Sequence, residues 1–188
     1  MNEKFAMKEE EKKKEDKKKT FLYLLDEDQL EVKRLNSEDV EEAVKVMRKC
    51  AFDVTETEVS TIVTYKMSFG CYVNRMLIGV GLSWPAVYDP EKRTIRGGEK
   101  SNAIYLEDPA ILLAYEGRGV RRILLKQRES DAKFAGMNYS VAYLYEDLAS
   151  GSIVDSIKEV GSQLGKLYLS EEYEFFRTDK GILVAKRL

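Results

Sequence analysis

The order of apolar and polar positions divides this chain into short strands and amphipathic helices. Leu30-Glu31-Val32-Lys33-Arg34-Leu35 alternates and predicts a first strand. Asn36 or Ser37 then caps a helix with Glu38 and Asp39 in its first turn. Val40, Ala43, Val44 and Met47 recur at the helical spacing behind it. Thr55 with Glu58 has the form of a capping box and starts a second helix. That helix is predicted to turn Val59, Ile62, Val63 and Met67 inward. Phe69 to Val73 and Leu77 to Leu82 read as two strands of a hairpin closed by Asn74 and Arg75. Trp84 to Ser101 holds two prolines, Gly97-Gly98 and mixed charge. The expectation there is a long loop, either a functional flap or a disordered connection.

The second half begins with an apolar run, Ala103 to Leu113. Its strand, Ala103 to Ile111, must be interrupted or bulged at Pro109, which has no N–H for a ladder. Gly117 and Gly119 follow at the entry to a helix that runs to about Ala135 and closes at Gly136. Its predicted inner face carries Val120, Ile123, Leu124, Gln127 and Phe134. Tyr139 to Tyr145 is apolar without alternation, as in a strand buried on both faces beside a parallel neighbour. Ser150 or Ser152 starts another helix, with Ile153, Ile157, Val160 and Leu164 as its stripe. Lys166 to Arg177 and Gly181 to Arg187 are expected to close the domain as a hairpin around Thr178, Asp179 and Lys180.

Composition narrows the chemistry. With 188 residues and 44% apolar positions, the chain suits one cored domain, residues 21–188, plus a tail over residues 1–20. The tail carries eight Lys and six Asp/Glu, several paired at i,i+4, but no apolar stripe. It is expected to be disordered or a solvated helix. Its sharper reading is a docking arm for an acidic or ribonucleoprotein partner. The net charge of −2 argues against general nucleic-acid binding, leaving only the tail and the basic cluster from Arg118 to Arg128 for it. The 34% charged residues are compatible with a thermophile. The chain has no histidine, which excludes a His general base, a Ser-His-Asp site and a His-ligated metal. No metal site is expected. Cys50 and Cys71 are read as reduced thiols of a cytoplasmic protein. No signal peptide or membrane-length apolar run is evident.

Two glycines at a strand-to-helix junction permit a sharp turn and leave helix-start amides free to attract an anion. Glu116-Gly117-Arg118-Gly119-Val120-Arg121, between the Ala103 strand and the basic helix, resembles the Gln/Arg-x-x-Gly-x-Gly/Ala turn of the GNAT superfamily of N-acetyltransferases. The element order from about residue 29 to 188 is similar to that family's as well. The resemblance implies an α/β fold: a mostly antiparallel sheet with one splayed parallel strand pair and helices on both faces. It implies acetyl-CoA as cofactor and an amine, on a protein or a small molecule, as acceptor. The first two helices and the flap would then help form the acceptor side. The gap between splayed strands admits the pantetheine arm, which pairs with the strand backbone as an added strand does. Here that backbone is Ile111, Leu112 and Leu113. Gly117, Arg118, Gly119, Val120, Arg121 and Arg122 would surround the pyrophosphate.

Acetyl transfer to an amine requires positioning, removal of a proton from the amine and a proton for the leaving thiolate. Glu107, on the strand before the turn, is the candidate base, with Asp108 beside it. Many family members carry Asn-x-x-Ala-x-x-Leu-Tyr in the helix after the next strand, its tyrosine being the general acid. Aligned on Gly161, that tyrosine falls at Ile157, which has no proton to give. Tyr143, Tyr145 and Tyr168 are the alternatives. Arg121 stands where the family has a small residue, and either bonds phosphate or crowds it. Glu116 brings negative charge to the same turn. These departures support a second reading, a catalytically inactive GNAT-fold subunit of a larger assembly. The transferase reading requires parted strands and a hollow that Arg121 leaves open.

Overall fold

The computed structural model describes residues 30–146 and 151–188. The charged tail, and Ser150 as a helix start, lie outside the described residues.

Among the described residues ten strands form two sheets. The first has the order β1 (Leu30–Arg34), β2 (Phe69–Val73), β3 (Met76–Gly81), β7 (Ala110–Ile111). The second has the order β5 (Thr94–Arg96), β4 (Ser83–Asp89), β6 (Ala103–Leu106), β8 (Tyr139–Leu144), β10 (Gly181–Arg187), β9 (Glu174–Thr178). Among the described residues β6 and β8 are the parallel pair and every other pairing is antiparallel. This is the splayed α/β architecture that the resemblance implied.

Asn36, one of the two expected caps, starts a 3-10 turn, Ser37–Asp39, that leads into helix α1 (Val40–Lys49); helix α2 (Glu56–Val63) starts at the capping box read from the sequence, Thr55 with Glu58. They pack Val40, Val44, Met47, Val59 and Val63 on Tyr72, Leu77 and Val80 of the first sheet. Helix α3 (Val120–Phe134) covers the opposite face of that sheet, with Val120 and Leu124 against Cys71, Ile78 and Ile111. It also reaches the second sheet, where Leu125 and Ala132 join Ile104, Leu106 and Ala142. Asn74 and Arg75 close the β2–β3 hairpin with φ of 50° and 66°, the twist that a two-residue hairpin turn favours.

Three expectations are corrected. Trp84 to Ser101 is not a loop: it forms β4 and the short β5, and Trp84 sits on β4 with its ring stacked on Tyr105. Pro85 is tolerated because a proline only removes one donor from a ladder. Phe134 is 95% exposed rather than inward, and the buried face of α3 is Val120, Leu124, Leu125, Arg128, Glu129 and Ala132. The stripe from Ile153 does not continue unbroken to Leu164, and Lys166 does not begin a strand. Instead α4 (Ile153–Val160) stops at Gly161, Val160 is exposed, and Ser162 caps a new helix, α5 (Gln163–Ser170), by accepting from the Gly165 amide at 3.0 Å.

The chain changes sheets twice at one place. It passes from β3 to β4 through Leu82 and from β6 to β7 through Glu107-Asp108-Pro109. The Glu107 amide bonds the Leu82 carbonyl at 3.1 Å. Arg128 donates through Nη1 to the carbonyls of Leu82 and Glu107, each at 3.0 Å. It is 1% exposed, so its guanidinium pins both crossings from inside the protein.

Candidate functional site

The crossing opens a gap. β6 and β8 stay paired only at Ala103↔Tyr139, Ile104↔Ser140 and Tyr105↔Val141. Beyond Tyr105 the first strand breaks at Pro109, and β7 goes to β3, pairing Ala110 with Val80 and Ile111 with Gly79. β8 continues with β10, pairing Ala142 with Val184 and Leu144 with Ile182. The parallel pairing ends at Tyr105, and Pro109, which has no N–H to give, stands at the point where the chain enters the other sheet.

At the end of β7 a short 3-10 turn, Leu113–Tyr115, leads to Gly117 and Gly119. Their φ values are 72° and 81°, a region open to glycine and costly for other residues. Gly119 is the N-cap of α3, and among the described residues it provides no side-chain cap for the first amides of that helix. Those amides carry the positive end of a fifteen-residue helix. They border a cavity of about 500 Å³ lined by Ile111, Tyr115, Glu116, Gly117, Gly119, Val120, Arg121 and Arg122 on one side. Gln163, Lys166, Leu167 and Ser170 of α5 form the other side. The sequence-predicted residues Ile111, Gly117, Gly119, Val120, Arg121 and Arg122 therefore meet at one cavity. Leu112, Leu113 and Arg118 are not in its lining: the Leu112 amide bonds the Ile78 carbonyl at 2.9 Å, Leu113 is 89% exposed and Arg118 lies over the Tyr115 ring.

The α5 wall is not foreseen by the expected strand from Lys166, since these residues are helical. The available signal was Ser162 as a cap, with Leu164, Leu167 and Tyr168 at helical spacing. A second network ties this wall to α3. Glu171 pairs with Lys126 and, at 3.1 Å, with Arg122, which also donates to Ser170 Oγ at 3.0 Å.

A neighbouring cavity of about 390 Å³ lies at the other end of the gap. Tyr105, Glu107, Asp108, Tyr143, Tyr145, Glu146 and Arg121 are among its lining residues. Tyr105, Glu107, Tyr143 and Tyr145 alternate with Leu106 and Leu144, which belong to the core under the helices. Glu107 is half-buried. Burial, and then the adjacent Asp108 carboxylate, push its pKa above the usual glutamate range.

Arg121 stands where the two cavities meet. Its Nη2 donates to Glu116 Oε1 at 2.7 Å and its Nη1 to Asp108 Oδ1 at 3.1 Å. The Glu116 and Arg121 departures in the turn motif thus partner each other. Arg121 also borders a third hollow, of about 260 Å³, with Cys50 and Pro109. There the Cys50 thiol donates to the Ile111 carbonyl at 3.1 Å.

Ile157 is fully buried in the core, on α4. The Leu-Tyr pair instead occurs one helix later, as Leu167-Tyr168 on α5. Leu167 lines the larger cavity, while Tyr168 is 1% exposed. Among the described residues its hydroxyl is the buried side-chain polar atom without a hydrogen-bond partner. Burial keeps that phenol protonated, opposed by the nearby Arg128 charge.

No protein-family model matches the sequence, and no curated protein matches it. The fold, however, is shared widely with solved GNAT acetyltransferase structures. One is the loading GNATL domain of CurA from Lyngbya majuscula, with a TM-score of 0.66 at 15% identity, covering 84% of this chain and 97% of that one. Another is the PaiA N-acetyltransferase of Thermoplasma acidophilum, solved with coenzyme A, with a TM-score of 0.57 at 15% identity over 85% and 99% of the two chains. A GNAT-family acetyltransferase from Brucella melitensis, solved with acetyl-CoA, gives 0.54 at 14% identity over 85% and 88%. The chain thus has the GNAT acetyltransferase fold across most of its length. Among the described residues, no helix is long and apolar enough to cross a membrane.

Proposed function

We propose that this protein is an acetyl-CoA-dependent N-acetyltransferase. One observation carries the reading: the parted strands β7 and β8 open beside an uncapped helix start at Gly119, and the two cavities meet there. The larger cavity suits the cofactor. It offers free amides at the positive end of a helix, Arg122 and Lys166 as cations, and a strand edge at Ile111. Acetyl-CoA, when bound, supplies the activated thioester whose acetyl group is transferred.

The chain's own residues supply position and protons. Glu107 takes a proton from the acceptor ammonium, directly or through one water, which frees the nitrogen lone pair. Its raised pKa makes the carboxylate a stronger base than an exposed glutamate. Tyr168, at the Leu-Tyr position and held as a neutral phenol, is the proton source for the leaving thiolate. Arg121 neutralises the Glu116 carboxylate, so the anion site keeps its positive character.

The place of Arg121 also favours the second reading, a GNAT-fold subunit without catalysis, because its side chain stands inside the gap. A thermal melt of the full chain separates the two. At a hundredfold excess over Kd a ligand of the folded state adds about 2.7 kcal/mol of stability. Stabilisation by acetyl-CoA, followed by acetylation of an added amine, is the expected result. No shift with either acetyl-CoA or coenzyme A would leave the non-catalytic reading.

A further inference from the structure

The face of the second sheet that continues from the Glu107 cavity is built by strands alone. Its buried members are Tyr88, Ala103, Val141, Leu183 and Ala185, with half-buried aromatic rings packed over them. Three rings form a row across β4, β6 and β8. Trp84 is paired with Tyr105 in the strand register and stacks on it, with centroids 4.6 Å apart and planes at 28°. Tyr105 lies 6.5 Å from Tyr143 on the next strand. The row ends at the Glu107 cavity, where Tyr105 and Tyr143 are themselves part of the wall and Tyr145, 80% exposed, stands at the rim.

The charge at that end is one-sided. The lining holds three carboxylates, Glu107, Asp108 and Glu146, against one guanidinium, Arg121. Arg121 is committed to Asp108 and Glu116, and Glu146 is fixed at the start of α5 by the Ser162 amide and hydroxyl. Glu107 has no ion-pair partner among the described residues. A carboxylate bordered by ring faces attracts an ammonium twice, by charge and by the ring quadrupoles. The same wall repels any group that brings its own carboxylate.

Building on the transferase reading, we propose that the acceptor is the terminal amine of an aliphatic chain with no negative charge near it, its ammonium at Glu107 and its methylenes across Tyr143, Tyr105 and Trp84. A free diamine and a lysine side chain share this chemistry. An α-amino acid, or any amine that carries a carboxylate on the same chain, does not.

Trp84 is the sequence's one tryptophan, so its fluorescence reports on this wall without any turnover. The full chain is titrated with 1,5-diaminopentane, Nα-acetyl-lysine amide and 6-aminohexanoate, which share a terminal amine but differ in the far group. A saturable change is expected with at least one of the first two, and 6-aminohexanoate should bind at least about tenfold more weakly. Whichever of the first two binds more tightly identifies the free or the peptide-borne form. Glu107→Gln should weaken the favoured cation by about tenfold, and Tyr143→Ala should weaken it too, in protein whose melt stays cooperative. Equal affinity for 6-aminohexanoate, or no saturable change with either cation, overturns the proposal. Acetyl-CoA is titrated separately by thermal melt: failure there sinks the transferase reading and leaves this binding result standing.

Discussion

Arg128 donates to the backbone carbonyl of Glu107 at 3.0 Å from a position that is 1% exposed. The same guanidinium bonds the Leu82 carbonyl and the Leu124 carbonyl of its own helix. It is a buried cation whose described hydrogen bonds all go to carbonyl groups, so it is held by dipoles at the seam between the sheets. Removing it leaves the Leu82 carbonyl with only the Glu107 amide, and the Glu107 carbonyl without that donor. Arg128→Met is therefore expected to cost about 1–3 kcal/mol in urea unfolding, since relief of the buried charge offsets part of the loss. It should also lower turnover by shifting the Glu107 backbone. A variant with unchanged stability and unchanged turnover would show that the seam holds without this residue.

In the proposed mechanism Glu107 sets the pH dependence. Its pKa is raised, so the working carboxylate form is lost as pH falls through a value above the ordinary glutamate range. The acid limb of the rate profile should lie correspondingly high. Glu107→Gln should lower turnover by roughly 10²–10⁴-fold while leaving acetyl-CoA affinity intact. The linkage sign gives a second readout. A carboxyl raised on folding favours the native state at low pH and loses that contribution as pH rises from the unfolded to the folded pKa. At pH 7 the charged form costs stability, so the glutamine variant should melt at the same temperature or higher. A lower melting temperature together with full activity would remove Glu107 from the site.

Tyr168 tests the acid. Its hydroxyl is buried without a partner, which costs about 1–3 kcal/mol. Tyr168→Phe should therefore hold or raise stability while lowering turnover. Destabilisation would reveal a partner for the hydroxyl, and an unaltered rate would show that the leaving thiolate takes its proton elsewhere.

Gly119 has a φ of 81°, and open space surrounds the position of an added Cβ. Gly119→Ala thus meets no clash, and only backbone strain of about 1–2 kcal/mol opposes it. The expected result is a modest loss of stability with weaker acetyl-CoA binding, because relaxing the strain turns the helix-start amides. Equal affinity in the variant would place the phosphates away from this turn.

Arg121 and Glu116 form a matched pair of departures from the motif, with their side chains 2.7 Å apart. Arg121→Ala should free the Glu116 carboxylate beside the helix amides and weaken acetyl-CoA binding by about tenfold, or 1.4 kcal/mol. Adding Glu116→Gln should recover most of that loss. If Arg121→Ala tightens binding instead, the arginine obstructs the cavity, and the non-catalytic reading gains.

Much of this architecture was legible because its signals are local. Thr55 with Glu58, Asn74-Arg75, Pro109 and Gly119 each act on the neighbouring backbone, and each did so where expected. The misreadings arose where local preference is weak. Trp84 to Arg96 carries two prolines yet joins a sheet edge, since pairing with β6 outweighs propensity. Lys166 to Ser170 reads equally as strand or helix, and only the Ser162 cap and the burial of Leu164 and Tyr168 select the helix.

By itself the sequence determined the break at Pro109, the glycine turn and the lack of any histidine chemistry. Each of these follows from the covalent nature of single residues: a missing N–H, a missing Cβ, a missing imidazole. Only the tertiary structure decided that Arg121 meets Glu116 and Asp108, that Arg128 joins two crossings, and that α5 walls the cavity opposite Gly119. Such contacts join residues far apart in sequence, Arg128 and Leu82 being 46 positions apart, and are formed by packing two sheets around one helix; periodicity along a chain carries no record of them.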